Sequence, residues 1–309
     1  MHLLAECGAK VFPELTGATG APTYRLGGVT VTYNAPPVGF DATTAAPGRL
    51  ALYGVPPPPG PGPARLLWLR RVSRLHFVAA PRFLAEIPVH AASSMPDFSD
   101  HWAGYVAYGG PFKRTVSTWV EPRLRPSRCR STALTIWAGI GGYATAELAQ
   151  DGTAENTPEI GQNQAWWELT PAGMVPVPLY ATVGAQFTAN VTYIGGDRFA
   201  FFMENDRTGA AWSQVEQSTN GANLSTAEAI VERPCLSNCT GDNARYANLS
   251  NFGRTEFTET SVDGVPLQAL STYAENMSDT GVAYGHDMAR PGPLRAGSPG
   301  FSVTQRSCS

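Results

Sequence analysis

The stretch Gln186-Phe187-Thr188-Ala189-Asn190-Val191-Thr192-Tyr193 alternates without a break, with Phe187, Ala189, Val191 and Tyr193 on one side and polar side chains on the other. A period of two marks a half-buried β-strand, because successive side chains leave a strand on opposite faces. Outward from it the same texture recurs. Phe199 to Met203 is nearly all apolar, and Ala227 to Val231 is another short run. Leu134 to Ile140 reads as a buried strand, and Lys113 to Val120 alternates with Val116, Thr118 and Val120 on one face. Each segment ends at Gly, Pro, Asn or Asp, so the expected fold is all-β, an antiparallel sandwich or barrel.

Composition agrees. Of 309 residues, 32 are Gly and 26 are Pro, which disfavours long helices. A net charge of -3 gives no reason to expect a nucleic-acid partner. The charge is split, however, at +4 over residues 1–96 and -7 over residues 97–309, so the two parts should attract. No apolar run is long enough to span a membrane, and Met1 to Leu15 lacks the basic-then-apolar pattern of a secretory signal.

Three regions follow. Residues 1–96 form a loosely structured leader with a Pro-rich spacer from Val55 to Pro63. Within it, Arg65 to Phe77 is expected to be a basic helix with Leu66, Leu69, Val72 and Leu75 or His76 on one face, suited to an acidic protein groove. Residues 97–270 are the sandwich, and residues 271–309, rich in Gly, Ser, Pro and Arg, are expected to be a poorly ordered tail. Five cysteines leave at least one unpaired within the chain. Cys235 and Cys239 are spaced to close a small loop, but no second Cys/His pair beside them argues for a metal.

Histidine is scarce, and only His101 lies in the patterned body, where a strand edge is its expected place. A serine or cysteine nucleophile needs a base, usually His. There is no Gly-x-Ser-x-Gly elbow, no His-Glu-x-x-His, and no Asp-Thr-Gly or Asp-Ser-Gly pair. Hydrolytic chemistry would therefore fall to carboxylates. Glu168 and Glu232 are the candidates for a glycosidase-type pair, and a solvated strand-edge position is the plain alternative for each.

Several blocks, in order, resemble the glutamic peptidase (eqolisin) family. Ile136-Trp137-Ala138-Gly139-Ile140-Gly141-Gly142 followed by Leu148-Ala149-Gln150-Asp151-Gly152 is similar to that family's W-V-G-I-D-G…L-Q-x-G. Ala165-Trp166-Trp167-Glu168-Leu169-Thr170-Pro171 resembles A-W-Y-E-W-Y-P, and Ala227-Glu228-Ala229-Ile230-Val231-Glu232 resembles A-E-x-I-x-E. His101-Trp102-Ala103-Gly104-Tyr105 is similar to the start of the mature enzymes, and Leu50 to Pro57 to their prosegment. Two departures stand out: Gly141 replaces an aspartate, and the span from Trp137 to Gln150 is one residue short, with Glu147 the nearby residue most easily confused with Gln150.

The resemblance implies a two-sheet sandwich with a substrate groove, acid endopeptidase activity on protein and peptide substrates, and no metal or cofactor. It implies catalysis by Gln150 and Glu232, with Trp137, Glu168, Trp102 and Trp167 lining the site and a Cys235–Cys239 disulfide. It also implies secretion; the charge split suggests a precursor whose basic leader covers the acidic groove as its own inhibitor, and a monomer is expected. A glutamate can act as general base on water, and a glutamine amide can stabilise the oxyanion. The competing reading is a non-catalytic module that binds carbohydrate or protein, with tryptophans as platforms.

Overall fold

The computed structural model describes residues 10–13, 23–26, 29–33, 35–80, 83–86, 98–143, 145–155, 163–237, 244–295 and 297–309. The principal strands are β1 (Trp102–Tyr108), β2 (Arg114–Val120), β3 (Thr132–Gly141), β4 (Leu148–Glu155), β5 (Gln164–Leu169), β6 (Val175–Tyr180) and β7 (Gln186–Gly195). They continue with β8 (Arg198–Asn205), β9 (Ala210–Gln217), β10 (Thr226–Glu232), β11 (Arg254–Val262), β12 (Thr272–Ser278), β13 (Asp287–Pro291) and β14 (Phe301–Gln305). The segments read from the sequence become β2, β3, β7, β8 and β10, with only Lys113 left outside its strand.

Two antiparallel layers result. The front sheet runs β6-β5-β4-β3-β10-β1-β12. The back sheet runs β14-β11-β2-β7-β8-β9. At one edge β13 pairs with both β12 and β14 and joins the layers. Between them lies one core. Ile136, Ala138, Trp167, Ala229 and Val231 of the front sheet meet Trp119, Phe187, Phe201 and Trp212 of the back sheet, all buried. Burying each such large side chain contributes about 1.5–3 kcal/mol, so this alternating pattern fixes which face of each strand turns inward.

The region after Leu270 departs from expectation. It is not a poorly ordered tail: β12 pairs with the front sheet and β14 with the back one. Met277, Met288 and Val303 are fully buried there. The Gly- and Ser-rich composition of these residues is overridden because neighbouring strands supply the hydrogen-bond partners and the core. Cys308, beyond β14, is disulfide-bonded to Cys129, closing a separation of 179 residues. Cys235 is also disulfide-bonded, while Cys239 lies outside the described residues.

The leader is more ordered than its composition suggests. Helices α1 (Pro47–Leu52) and α2 (Pro63–Val72) lie on the outer face of the back sheet. Leu50, Tyr53, Val55 and Val72 pack there against Phe202 and Ala211. Arg71 Nε donates to Glu204 Oε2 at 2.7 Å, and its Nη2 to Asp206 Oδ1 at 3.2 Å. The apolar face of α2 is the expected one only in part: Val72 and, just beyond the helix, Leu75 pack on the sheet. Leu66 is exposed, and Trp68 packs inward, donating through Nε1 to the Pro56 carbonyl at 2.9 Å.

Candidate active site

Directly opposed residues of antiparallel strands share a face, so the registers assemble the outer face of the front sheet row by row. One row reads Glu168, Gln150, Gly139, Glu228, Val106, Tyr273 across β5, β4, β3, β10, β1 and β12. The next reads Trp166, Gly152, Trp137, Ile230, Gly104, Glu275. A third places Glu232 between Thr135 and Trp102. Trp102, Val106, Trp137, Leu148, Trp166 and Ile230 form an apolar cluster on this face, separate from the core. Gly152 makes room for Trp137: a Cβ there would stand 2.7 Å from the Trp137 Cβ.

Glu232, partly open at the end of β10, accepts a hydrogen bond from Trp137 Nε1 at 2.7 Å. Trp102 stands edge-on to Trp137, ring centroids 5.0 Å apart. Its indole N–H lies close enough to favour the Glu232 charge without reaching hydrogen-bond geometry. Burial raises the Glu232 pKa above the usual carboxylate value, and the His101 charge and the two indoles offset only part of that shift.

Gln150 and Glu168 are both buried, and Gln150 Nε2 donates to Glu168 Oε2 at 2.5 Å. The Gln150 Oε1 has no hydrogen-bond partner among the described residues. Across Gly139 from Gln150 stands Glu228, 1% exposed. Neither of its oxygens has a partner of good geometry among the described residues. Burial pushes its pKa well up, with the Thr226 hydroxyl opposing only weakly.

The structure thus brings Gln150, Glu168, Trp137, Glu232 and Trp102 to one face of one sheet. It does not bring Trp167. That residue turns into the core against Phe201, ring centroids 5.5 Å apart, and its neighbour Trp166 faces outward instead. The reason is the period of two: Glu168 faces outward, so the residue before it cannot. Glu228 was missed as a site residue, although its spacing of four from Glu232 on one strand places both on one face. Glu275, which accepts from Tyr143 Oη at 2.9 Å, was missed because it falls in the supposed tail. His101, expected at a strand edge, directly precedes β1 and is 1% exposed. Residues 35–80 of the leader pack on the opposite sheet, while its Phe83–Glu86 strand lies against β6 at the edge of the front sheet. Among the described residues no His, Cys, Asp and Glu groups cluster as metal ligands.

Gly141 has no space for the aspartate it replaces. Its φ is +83°, and a Cβ would stand 2.4 Å from the Glu147 carbonyl oxygen and 2.9 Å from that of Asn223.

One face of this all-β sandwich thus carries paired carboxyls and an amide beside tryptophans. The chain belongs to the Peptidase A4 family, which it matches over residues 100–279, and it is a glutamic-type endopeptidase. Its fold is similar to that of scytalido-glutamic peptidase, solved with a transition-state analogue inhibitor (TM-score 0.57, 21% identity, covering 68% of this chain and 100% of that one). It is also similar to that of SCP-B, a member of the eqolisin family solved with the tripeptide Ala-Ile-His (TM-score 0.50, 19% identity, covering 68% of this chain and 100% of that one). No curated protein matches the chain.

Proposed function

We propose that this peptidase works in acid, with Glu232 as general base on a water and Gln150 as oxyanion stabiliser. The observation that carries the reading is the Glu232 carboxylate itself, held by Trp137 Nε1 at 2.7 Å on the same sheet face as Gln150 and still partly open to solvent. A base must be ionised yet reasonably basic. Burial raises the basicity of Glu232, and the indole N–H keeps the charged form within reach. Glu232 takes a proton from water as the oxygen attacks the peptide carbonyl, then passes it to the leaving nitrogen.

Gln150 Nε2 carries two hydrogens. Glu168 takes one, which orients the amide and leaves the other for the tetrahedral oxygen. Its Oε1 remains free to accept from the attacking water. Such preorganised donors contribute roughly 10²–10³ in rate.

A second assignment has geometry in its favour. Glu228 shares the cross-sheet row of Gln150, two strands away, or ~10 Å at the usual strand spacing. Glu232 is displaced from that row by four residues along β10, or ~13 Å. Ionisation argues the other way. Glu228 is fully enclosed and stays protonated in acid, so it can give a proton but not take one. Cleavage of a denatured protein at acid pH by Glu232→Gln, Glu228→Gln and Gln150→Ala variants decides. Glu232→Gln and Gln150→Ala should lose at least 10²-fold in kcat. Retained proteolysis in both overturns the dyad, and an active Glu232→Gln beside a dead Glu228→Gln moves the base to Glu228.

A further inference from the structure

Immediately before the strand that faces Glu232, the chain carries an ion pair that the mechanism above leaves unused. His101 Nδ1 and Asp100 Oδ1 are 2.5 Å apart, and the His101 side chain is 2% exposed. The imidazole stacks on the Tyr246 ring, centroids 4.8 Å apart and planes 12° off parallel. On its other flank it meets the Trp102 ring at 5.2 Å. Its backbone carbonyl accepts from the Arg233 N–H at 3.1 Å, which places His101 beside the residue that follows Glu232. The imidazole Nε2 is buried and has no hydrogen-bond partner among the described residues.

We propose that His101, held by Asp100, is a positioning residue that keeps Glu232 in its charged, proton-accepting form in acid. This rests on the assignment of Glu232 as the base. An imidazole carries its proton in acid, below its ordinary value of about 6.5. Buried in place by Tyr246 and Trp102, the imidazolium is a fixed charge beside Glu232, poorly screened by solvent.

Every group facing His101 fits. Asp100 is on its own segment. Burial works against the Asp100 carboxylate, but the His101 hydrogen bond and charge, with the Arg233 charge, outweigh burial and lower its pKa. From the end of β10, Arg233 donates through Nε to the Asp100 carbonyl at 2.5 Å and lies over the Tyr246 ring at 5.2 Å. From the Arg245–Tyr246 strand, Tyr246 is kept a neutral phenol, by burial first and then by the Asp100 and Glu232 charges. At Glu232 the favourable effect of the His101 charge exceeds the opposing one of Asp100. Glu232 therefore sees net positive charge from the pair, which offsets part of the burial that would otherwise protonate it in acid.

The test is the pH dependence of kcat/KM for the full chain and for His101→Asn and Asp100→Asn. Removing the imidazolium should move the acid limb up by about one pH unit, a loss of about tenfold at the acid end, with kcat on the plateau within about threefold. Asp100→Asn leaves the imidazolium in place and removes the negative charge that opposes it at Glu232, so the limb should move the other way, toward lower pH. NMR titration of the wild-type imidazole adds a measurement that needs no variant: His101 should remain protonated across the working range. A neutral His101 in that range, or a folded His101→Asn with an unmoved acid limb, overturns the proposal. Glu232→Gln separates the two claims. If it stays active, the base assignment has failed. If it is dead while the His101→Asn limb is unmoved, only the role of His101 has.

Discussion

Gln150 Nε2 donates to Glu168 Oε2 at 2.5 Å, from directly opposed positions on adjacent strands. The pairing makes Glu168 the group that decides where the Gln150 amide points. Both side chains are buried, so no water competes for the contact. Glu168→Ala should then leave the fold intact but the amide unaimed. The expected result is a fall in kcat of about 10²-fold with KM changed little, since the lost contact acts on the transition state. Steady-state kinetics on a peptide substrate check this. A loss confined to KM would show that Glu168 binds substrate rather than orienting the amide.

Trp137 offers a sharper dissection. Its ring packs on Trp102 and its N–H reaches Glu232. Trp137→Phe preserves most of the apolar bulk and deletes the donor. A hydrogen bond to a charged group is worth about 1.5–3 kcal/mol, so the acid limb of kcat/KM should rise by about one to two pH units. An unshifted limb in the folded variant would show that the indole does not tune Glu232.

Much of this was legible in the chain itself. The alternation of Gln186 to Tyr193 exposed the strand period, and Gln150, Glu168 and Glu232 could be placed from their motifs. Trp167 went astray because motif adjacency was followed where strand parity should have ruled. The strands from Thr272 onward were hidden because their local propensity is weak and their partners, such as Ala107 and Thr255, are distant in sequence. The burial of His101 depends on Tyr246, and the Cys129–Cys308 bond on strands that bring the two ends together. No local pattern encodes either. The charge split did foresee contact between leader and body, since Arg71 meets Glu204 and Asp206, but it could not say which sheet would be met.

The core carries its own pH dependence. Glu121 Oε1 accepts from Trp119 Nε1 at 2.7 Å and from Thr153 Oγ1 at 2.6 Å. Beside it, burial first and then the Glu121 carboxyl push Glu155 up to about 10. On β9, burial raises Glu216 to about 8 against a hydrogen bond from Gln214. These groups hold their protons more tightly folded than unfolded. Their stabilising effect is complete below the unfolded pKa of ~4.5 and is lost as pH rises, through about 8 for Glu216 and about 10 for Glu155. Thermal melts should therefore be highest in acid and fall steadily above about pH 5, with Glu155→Gln flattening the decline. Equal melting temperatures at pH 4 and pH 8 would refute this.

Gly141 supplies the last prediction. It stands where the family keeps an aspartate, and the simplest thought is that restoring the carboxyl would strengthen the site. The backbone opposes it. At φ +83° the residue lies in the left-handed region, and the added Cβ would press within 2.4 Å of the Glu147 carbonyl oxygen. That oxygen belongs to the chain leading into β4, which carries Gln150. Gly141→Asp must shift this segment, at a cost of about 1–3 kcal/mol, and Gly141→Ala should cost a similar amount because the clash is with Cβ rather than the carboxyl. Both variants should melt lower and cleave more slowly, with no gain for aspartate over alanine. A more active Gly141→Asp enzyme would mean that β4 can adjust and that the missing carboxyl limits the reaction.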